Sequence, residues 1–502
     1  MGHFEQYDAK RNAKINKRPR LARRAYQAAG QSRLTAGWIN SPISADAEVY
    51  RSLRRVRARS REERNNNPYL ARYFGLLTQN VIGDRGISMQ AQARYPGGKL
   101  DKAANRAIEE WWKRWNDECD YTGQRSWLEM QNLDIMTIAE DGESLTEIIS
   151  TRDGVKLLAI DPELLDVELN DDNGTGDYVR MGIHFAQSGR RLGYYIKDDT
   201  RNSLMYSDGY TYGLSRKEHR YIPASNMIHR FVPFRVGQSR GMPWTTPILW
   251  RMQMHHGFVD AAVTASRVGA SKMGFFITPS GDEYTGDDQV EAGGEQLIDA
   301  AEPGIFEELP EGTSFESFDP NYPHQMFDPF DKAMLRSHAS GLNVSYNALA
   351  NDLEGVNFSS IRAGVLEDRE AWKCLQQFTI HGFCKPIYEK ALSQALAANK
   401  IPIGPNGVTL DIENLDKYLA VNWQGRRWNW VDPLKDQQAE LLSYEMGTTS
   451  LSAIIRNMGK DPEEVWAERQ REQQQMKDYD VTLTASLNAV AGLTETEGGS
   501  NE

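Results

Sequence analysis

Between Gly281 and Phe330 the chain carries fourteen carboxylates and not one lysine or arginine. Like charges at this density repel and cannot pair, so such a run ordinarily belongs to a disordered tail. Here it lies mid-chain and is interleaved with Phe306, Phe315, Phe318, Tyr322 and Phe327. Helix signals flank it on both sides. Thr246-Pro247 is a cap followed by a first-turn proline, and Ile248, Leu249, Met252, Phe258 and Ala261 run along one side toward Ser271. At 1.5 Å per residue that is a rod of roughly 38 Å. Asp328-Pro329 starts a second rod, which runs to about Gly341. The pattern predicts a helical stalk carrying a folded, negatively charged module. Such a surface suits docking of a basic partner, or a passage to which a polyanion must not adhere.

Charge elsewhere is just as uneven. Residues 1–65 hold sixteen Lys and Arg against six Asp and Glu, a net +10 on a chain of net −12, so the rest carries −22. A basic arm on an acidic body reads as an interaction segment for nucleic acid or an acidic protein, or as a solvated terminus of short helices on a mobile arm. With 502 residues there is material for several domains. Cys119, Cys374 and Cys384 are too few for a disulfide framework and fit a reducing compartment. No apolar leader opens the chain, and no stretch approaches the ~18 uninterrupted apolar residues of a membrane span, so a soluble protein is expected.

From residue 66 the pattern is first helical. Tyr69, Tyr73, Leu76 and Leu77 recur at helical spacing, Gly83-Asp84-Arg85-Gly86 breaks it, and Ala103–Trp115 resumes it with Trp111, Trp112 and Trp115 near the apolar face. Ser126-Trp127-Leu128-Glu129 is a capping-box start and Gly142 a stop, with Leu133, Met136 and Ile138 on the face between them. Beyond Gly142 the period becomes two. Leu145–Ile149, Val155–Ile160, Leu164–Leu169, Tyr178–Phe185, Arg191–Lys197 and Asn226–Val232 read as strands of a mostly antiparallel module over 143–235. After the second rod, Ser345–Ala350 gives another turn or two before a loop at 351–357. Ser359 or Ser360 then caps a long helix that Pro386 kinks or divides before Ala398. Asp432-Pro433, Ser450 and Asp461-Pro462 open three further helices, and the last twenty or so residues read as disordered.

Motifs for catalysis are scarce. There is no Gly-x-x-x-x-Gly-Lys-Ser/Thr loop and no Gly-x-Ser-x-Gly elbow. His255 and His256 are adjacent, so on a helix they diverge by about 100° and make a poor joint metal site. Cys374, His381 and Cys384 fall on one face of an uninterrupted helix, yet lack zinc-ribbon spacing and read better as buried small side chains. Asn170-Asp171-Asp172-Asn173-Gly174 is a hairpin turn rather than a calcium loop, since no glutamate follows in register. No catalytic residue, metal or cofactor is expected. The acidic run is too diffuse for an acid/base pair and serves better as a surface.

Three stretches carry a family likeness. One is Asn357-Phe358-Ser359-Ser360-Ile361-Arg362-Ala363-Gly364 with Glu367, Arg369 and Trp372. Another is Trp428-Asn429-Trp430-Val431-Asp432-Pro433 with Lys435, then Gly447-Thr448-Thr449-Ser450-Leu451 and Gly459-Lys460-Asp461-Pro462-Glu463-Glu464-Val465. The third is Gly237-Gln238-Ser239-Arg240-Gly241 with Pro243. In these, and in the order of elements from about residue 60 to 475, the chain resembles the portal proteins of tailed bacteriophages, of the lambda type.

The resemblance implies an α+β portal fold: a mixed α/β wing, a two-helix stem, a small α/β clip inserted between the stem helices, and an α-helical crown. On this chain the arm would be 1–65, the wing 66–242, the stem helices 243–272 and 328–345, and the clip 273–327. A tunnel-loop region would follow at 346–358, the long wing helix and its connection at 359–431, the crown at 432–475 and the tail at 476–502. It implies a homo-oligomeric ring, usually of twelve subunits, at one capsid vertex of the virion, assembled in the host cytoplasm. Double-stranded DNA passes through the ring during packaging and ejection. Terminase and head-completion or neck proteins dock on the clip, through Asp282, Glu283, Asp287, Asp288, Glu307, Glu308, Glu311 and Glu316. Major capsid and scaffold proteins are further partners, and a membrane is not. Such rings are not enzymes; terminase hydrolyses ATP. Asn351, Asp352, Leu353, Glu354, Gly355, Val356 and Asn357 would be the DNA-facing tunnel loop. Lys332 and Arg336 are candidates for basic channel rings, or for solvent-facing residues and salt bridges between subunits. The rival readings are a non-portal head adaptor or connector without stem and clip, and a carboxylate-dependent nucleic-acid-processing enzyme.

Overall fold

The computed structural model describes residues 42–172, 174, 176–197, 219–270, 274–277, 314–317, 325–354, 358–404, 408–428, 433–458 and 462–478. Its first element corrects an expectation. Residues 45–65 are not short helices on a mobile arm; they belong to one 22-residue helix, α1 (Ala45–Asn66). The Ser44 hydroxyl caps it by accepting from the Ala47 N–H at 3.2 Å. Val49, Leu53, Arg57, Ser60 and Glu63 repeat every three or four residues and form its buried face. Two of these are charged: Arg57 meets buried carboxylates on other elements, and Glu63 accepts from the Asn67 side chain at the end of its own helix. Residues 1–41 lie outside the described residues.

The helical half of the core follows the sequence pattern closely. α2 (Pro68–Leu77) runs into a π-helical turn, Thr78–Ile82, which ends at Gly83 with φ +80°. β1 (Ser88–Ala91) and α3 (Lys102–Glu118) come next. α4 (Trp127–Asp141) has the expected capping box between Ser126 and Glu129 and stops at Gly142 in the left-handed region. Its buried face is rotated from the expected one, through Met130, Asp134, Ile135 and Ile138. An aromatic cluster fills the centre: Trp112 stacks on Trp115 at 4.5 Å and Trp127 on Phe383 at 5.2 Å.

Among the described residues, ten strands pair antiparallel around this core in two sheets and a two-stranded ladder. β2 (Glu143–Thr151) lies between β3 (Gly154–Ile160) and a later strand, Met227–Phe231. The expected strand at 164–169 does not form. Asp161 caps a 3₁₀ turn at Pro162–Leu164, leaving only a single bridge from Leu165 to Ile196. A second sheet runs in chain order through β4 (Asp171–Asp172), β5 (Tyr178–Arg180), β6 (Ile183–Phe185), β7 (Arg191–Lys197) and β8 (His219–Pro223). The expected strand 178–185 is two strands, turned at Met181 and Gly182, both with positive φ. β8 was unexpected, and Met227–Phe231 is β9.

Two rods then leave and return. α5 (Leu249–Ala270) and α6 (Phe327–Leu342) are antiparallel: Phe258 packs on Phe327 and Phe330, while Arg251 reaches Ser337. At their far ends β10 (Gly274–Ile277) pairs with β11 (Ser314–Ser317), so the chain departs and comes back through neighbouring strands. At the near end Gly341 lets α6 press on Ile248, whose Cγ2 would lie 2.3 Å from any added Cβ.

The remainder wraps back onto the core. α7 (Tyr346–Ala350) precedes α8 (Phe358–Thr379), whose first residue lies just ahead of the expected cap at Ser359 or Ser360. A π-turn at Ile380–Cys384, ending two residues before Pro386, divides α8 from α9 (Lys385–Ala397). The turn also breaks the expected alignment of the sulfur and imidazole side chains. Cys374 and His381 are exposed and only Cys384 is buried. After a small ladder of β12 (Pro402–Ile403) and β13 (Val408–Thr409) and a short helix, α10 (Leu415–Tyr418), β14 (Val421–Gln424) pairs with β1. Three helices close the described chain: α11 (Pro433–Glu445), α12 (Leu451–Asn457, capped by Ser450) and α13 (Pro462–Asp478).

Candidate functional site

The segment after α7 folds onto α6 through local hydrogen bonds. Ser345 caps α7, and its own N–H and O–H donate to Asp368 of α8 at 3.0 and 2.6 Å. Asn351 ends the helix in the left-handed region, φ +54°, where asparagine is tolerated better than most residues. Asp352 then turns the chain, accepting from the Tyr346 hydroxyl at 2.6 Å and the Glu354 N–H at 2.8 Å. Those bonds, the hydroxyl first, hold its carboxyl below the usual carboxylate range.

Both expected channel cations lie against this loop. Lys332 Nζ is 2.8 Å from Glu354 and 3.0 Å from Asp328. The hydrogen bonds to Glu354 and then Asp328 raise its pKa above the ordinary lysine value. Arg336, one turn further, sets its guanidinium over the Tyr346 ring at 5.2 Å. The structure thus brings Lys332 and Arg336 together with Asn351, Asp352 and Glu354, while Leu353 stands 62% exposed at the tip. Gly355, Val356 and Asn357 lie outside the described residues. Of the carboxylates expected to dock partners, Glu316 sits in β11 opposite Phe275. Asp282, Glu283, Asp287, Asp288, Glu307, Glu308 and Glu311 lie outside the described residues.

Between the rods, His255 Nε2 lies 2.7 Å from Asp331 and its ring 5.4 Å from that of His338. His256 turns instead toward Asp260 at 3.6 Å. Neither ring nitrogen of His338 has a hydrogen-bond partner, and burial pushes this imidazole down to about 4.

A buried charged cluster escaped sequence reading. Glu143, at the start of β2, and Arg240 are both fully buried and paired through the Arg240 Nε at 2.8 Å. Arg57 of α1 reaches the same carboxylate at 3.0 Å and Glu163 at 2.9 Å, and His229 lies 2.9 Å from it. Burial alone would raise the Glu143 carboxyl, but Arg240 foremost and His229 hold it well below its ordinary value. Arg61 adds a pair of bonds to Asp141 and Arg64 another to Glu140. The network fastens α1 to the sheets. Its one sequence signal was Arg240 itself, set between glycines in the Gly237–Gly241 stretch. Among the described residues no group of three or more His, Cys, Asp or Glu side chains is placed to hold a metal, and no helix is long and apolar enough to cross a membrane.

The family model described as phage portal protein, lambda family, matches residues 31–376. A probable portal protein of Halomonas phage phiHAP-1 is 33% identical over 465 residues, covering 90% of this chain and 86% of that protein. Portal protein B of Escherichia phage lambda is 22% identical over 478 residues, with 87% and 86% covered. Among solved structures, the neck of an empty GTA particle superposes with a TM-score of 0.40 at 13% identity, over 82% of this chain and 94% of that one. The family is one of structural proteins rather than enzymes. With its model matched over most of the chain and a relative at 33% identity along nearly the whole length, this chain belongs to the lambda family of phage portal proteins, which form the channel at a capsid vertex.

Proposed function

We propose that the chain is the subunit of a homo-oligomeric ring of about twelve copies through which double-stranded genomic DNA is packaged and ejected. The observation that carries this reading is the antiparallel pair α5 and α6, with the acidic segment leaving and returning through β10 and β11 at its end. In that frame the pair is the stem, residues 273–327 the clip, Asn351–Asn357 the tunnel loop, and α11–α13 the crown. The charge map supports a conduit. A wall that must release phosphate quickly should be neutral or negative, since each exposed cation held on DNA adds a counterion-release term. Lys332, the best placed stem cation, is answered by two carboxylates of its own subunit.

Terminase during packaging, and head-completion or neck proteins afterwards, are proposed to dock on the clip carboxylates from Asp282 to Glu316. Neutralising them should abolish terminase docking and leave ring assembly intact, whereas an adaptor lacking a clip would be indifferent. Capsid and scaffold proteins would meet the wing. The decisive experiment is negative-stain electron microscopy of the purified chain. Class averages with rotational symmetry near twelvefold and a central hole are expected; a monodisperse monomer at every salt concentration would sink the reading.

A further inference from the structure

Among the described residues some arginines meet a carboxylate, while others, Arg72, Arg251 and Arg336 among them, bond to a carbonyl, a hydroxyl or a ring instead. Arg57, Arg61, Arg64, Arg220, Arg230 and Arg240 each meet a carboxylate of the same chain. Arg426 and Arg427, consecutive residues after β14, meet none among the described residues. Both line an open cleft of about 790 Å³ between the Thr78–Asp84 turn, α4 and α8.

The cleft is held in shape by its surroundings. Trp428 donates its indole N–H to Asn80 at 2.9 Å, and Gln376 donates to the Arg426 carbonyl at 3.0 Å. The Arg426 side chain crosses Gly83, where an added Cβ would lie 2.9 Å from its Cβ and Cδ, and it donates to the Gln79 carbonyl. Arg426 and the exposed Arg427 both line the opening. Thr78, Gln79 and Asn132 supply polar walls. The one carboxylate on the lining, Asp84, is exposed and leans toward Arg85 at 3.9 Å.

We infer that this cleft receives a carboxylate side chain from a neighbouring copy of the chain, so that each site is completed by the next subunit. Three observations favour that occupant. Guanidinium forks with amide walls match a carboxylate bidentately. Asp84 at the rim opposes a run of phosphates more than it opposes an isolated carboxylate. Outside its first 65 residues the chain carries a net −22, so a second copy arrives rich in the required group. A contact between different patches of identical subunits closes naturally in a ring, and the inference therefore rests on the ring reading above.

The test follows assembly of the full-length chain by sedimentation velocity over a concentration series, at about 0.1 M and about 1 M NaCl, where the Debye length falls from ~10 to ~3 Å. Wild type should assemble more readily at low salt. Arg426→Glu with Arg427→Glu should raise the midpoint concentration roughly tenfold or more at low salt and erase most of the salt dependence. Arg427→Glu alone, at an exposed position that folding does not need, should do so in part. Unchanged assembly in both variants overturns the inference. So does intact assembly with weakened binding of a short DNA duplex, which would make the cleft a phosphate site. Intact assembly with a lowered monomer melting temperature would mean that a carboxylate of the same chain, such as Asp432, fills the cleft, and overturns it as well. A wild-type chain that never assembles removes the ring reading and this inference together; rings indifferent to the variants remove this inference alone.

Discussion

Lys332 Nζ lies 2.8 Å from Glu354 Oε2, a bond that ties α6 to the loop following α7. Asp328, one turn earlier, closes on the same ammonium at 3.0 Å. Two carboxylates answer one cation, so this corner is net negative although it contains a lysine. The pair is water-exposed and contributes little to folding. Its effect is on what the lysine can touch.

Glu354→Gln should release Lys332 from its nearer partner without lowering the melting temperature measurably. In assembled rings, the slope of log affinity for duplex DNA against log salt should then steepen, by about 0.9 for each lysine that newly neutralises a phosphate. An identical slope would show that Lys332 does not reach DNA.

Arg240 and Glu143 are the opposite case, both fully buried. Arg240→Met removes the strongest partner of a carboxylate that Arg57 and His229 only partly satisfy. Loss of one member of a buried pair costs about 3–5 kcal/mol. Thermal unfolding monitored by circular dichroism should show a large drop. A shift within error would mean that Arg57 alone suffices.

His338 makes a pH-dependent prediction. It is neutral when folded because burial lowers its pKa to about 4, whereas unfolded histidine titrates near 6.5. Between these values the unfolded state binds the extra proton, so stability is retained above pH ~6.5 and lost as pH falls toward ~4. The groups facing it are His255, Arg251 and Asp331. His338→Leu also removes two unpartnered ring nitrogens, so the variant should equal or exceed wild type at neutral pH. Its advantage should widen by about 2–4 °C on acidification. A constant difference across the range would refute the assignment.

Gly341→Ala pits propensity against packing. Alanine favours a helix interior by about 1 kcal/mol, but its Cβ would meet Ile248 Cγ2 at 2.3 Å. Ile248 is buried, so net destabilisation of about 1–3 kcal/mol is expected, relieved when Ile248→Ala is added. Additive effects of the two changes would argue against a shared contact.

What could be read from the sequence was what neighbours in sequence decide. The Ser126–Glu129 capping box and the Gly142 stop need only residues a few positions apart, and they stand where expected. Arg57 could not be read that way. An arginine in a basic run looks alike whether solvated or buried, because its partners Glu143 and Glu163 are 86 and 106 residues away. The strand expected at 164–169 failed because the cap at Asp161 and Pro162 outweighs the apolar alternation that follows. Cys384 parts from the exposed Cys374 and His381 because a π-turn inserts one residue into the helix and shifts its phase. Lys332 and Arg336 were singled out by charge and spacing, but their pairing with Glu354 and Tyr346 depends on how α7 folds back onto α6.

The pairing of β10 with β11 separates the insertion from the metre of the rest of the chain. Since both crossings are fixed side by side, the described sheets and rods do not set the number of residues between them. The closure cost of a longer or shorter excursion grows only as the logarithm of its length. A lineage could therefore rebuild this segment, in size as well as in sequence, while the buried arginine lattice and the aromatic core stayed in register.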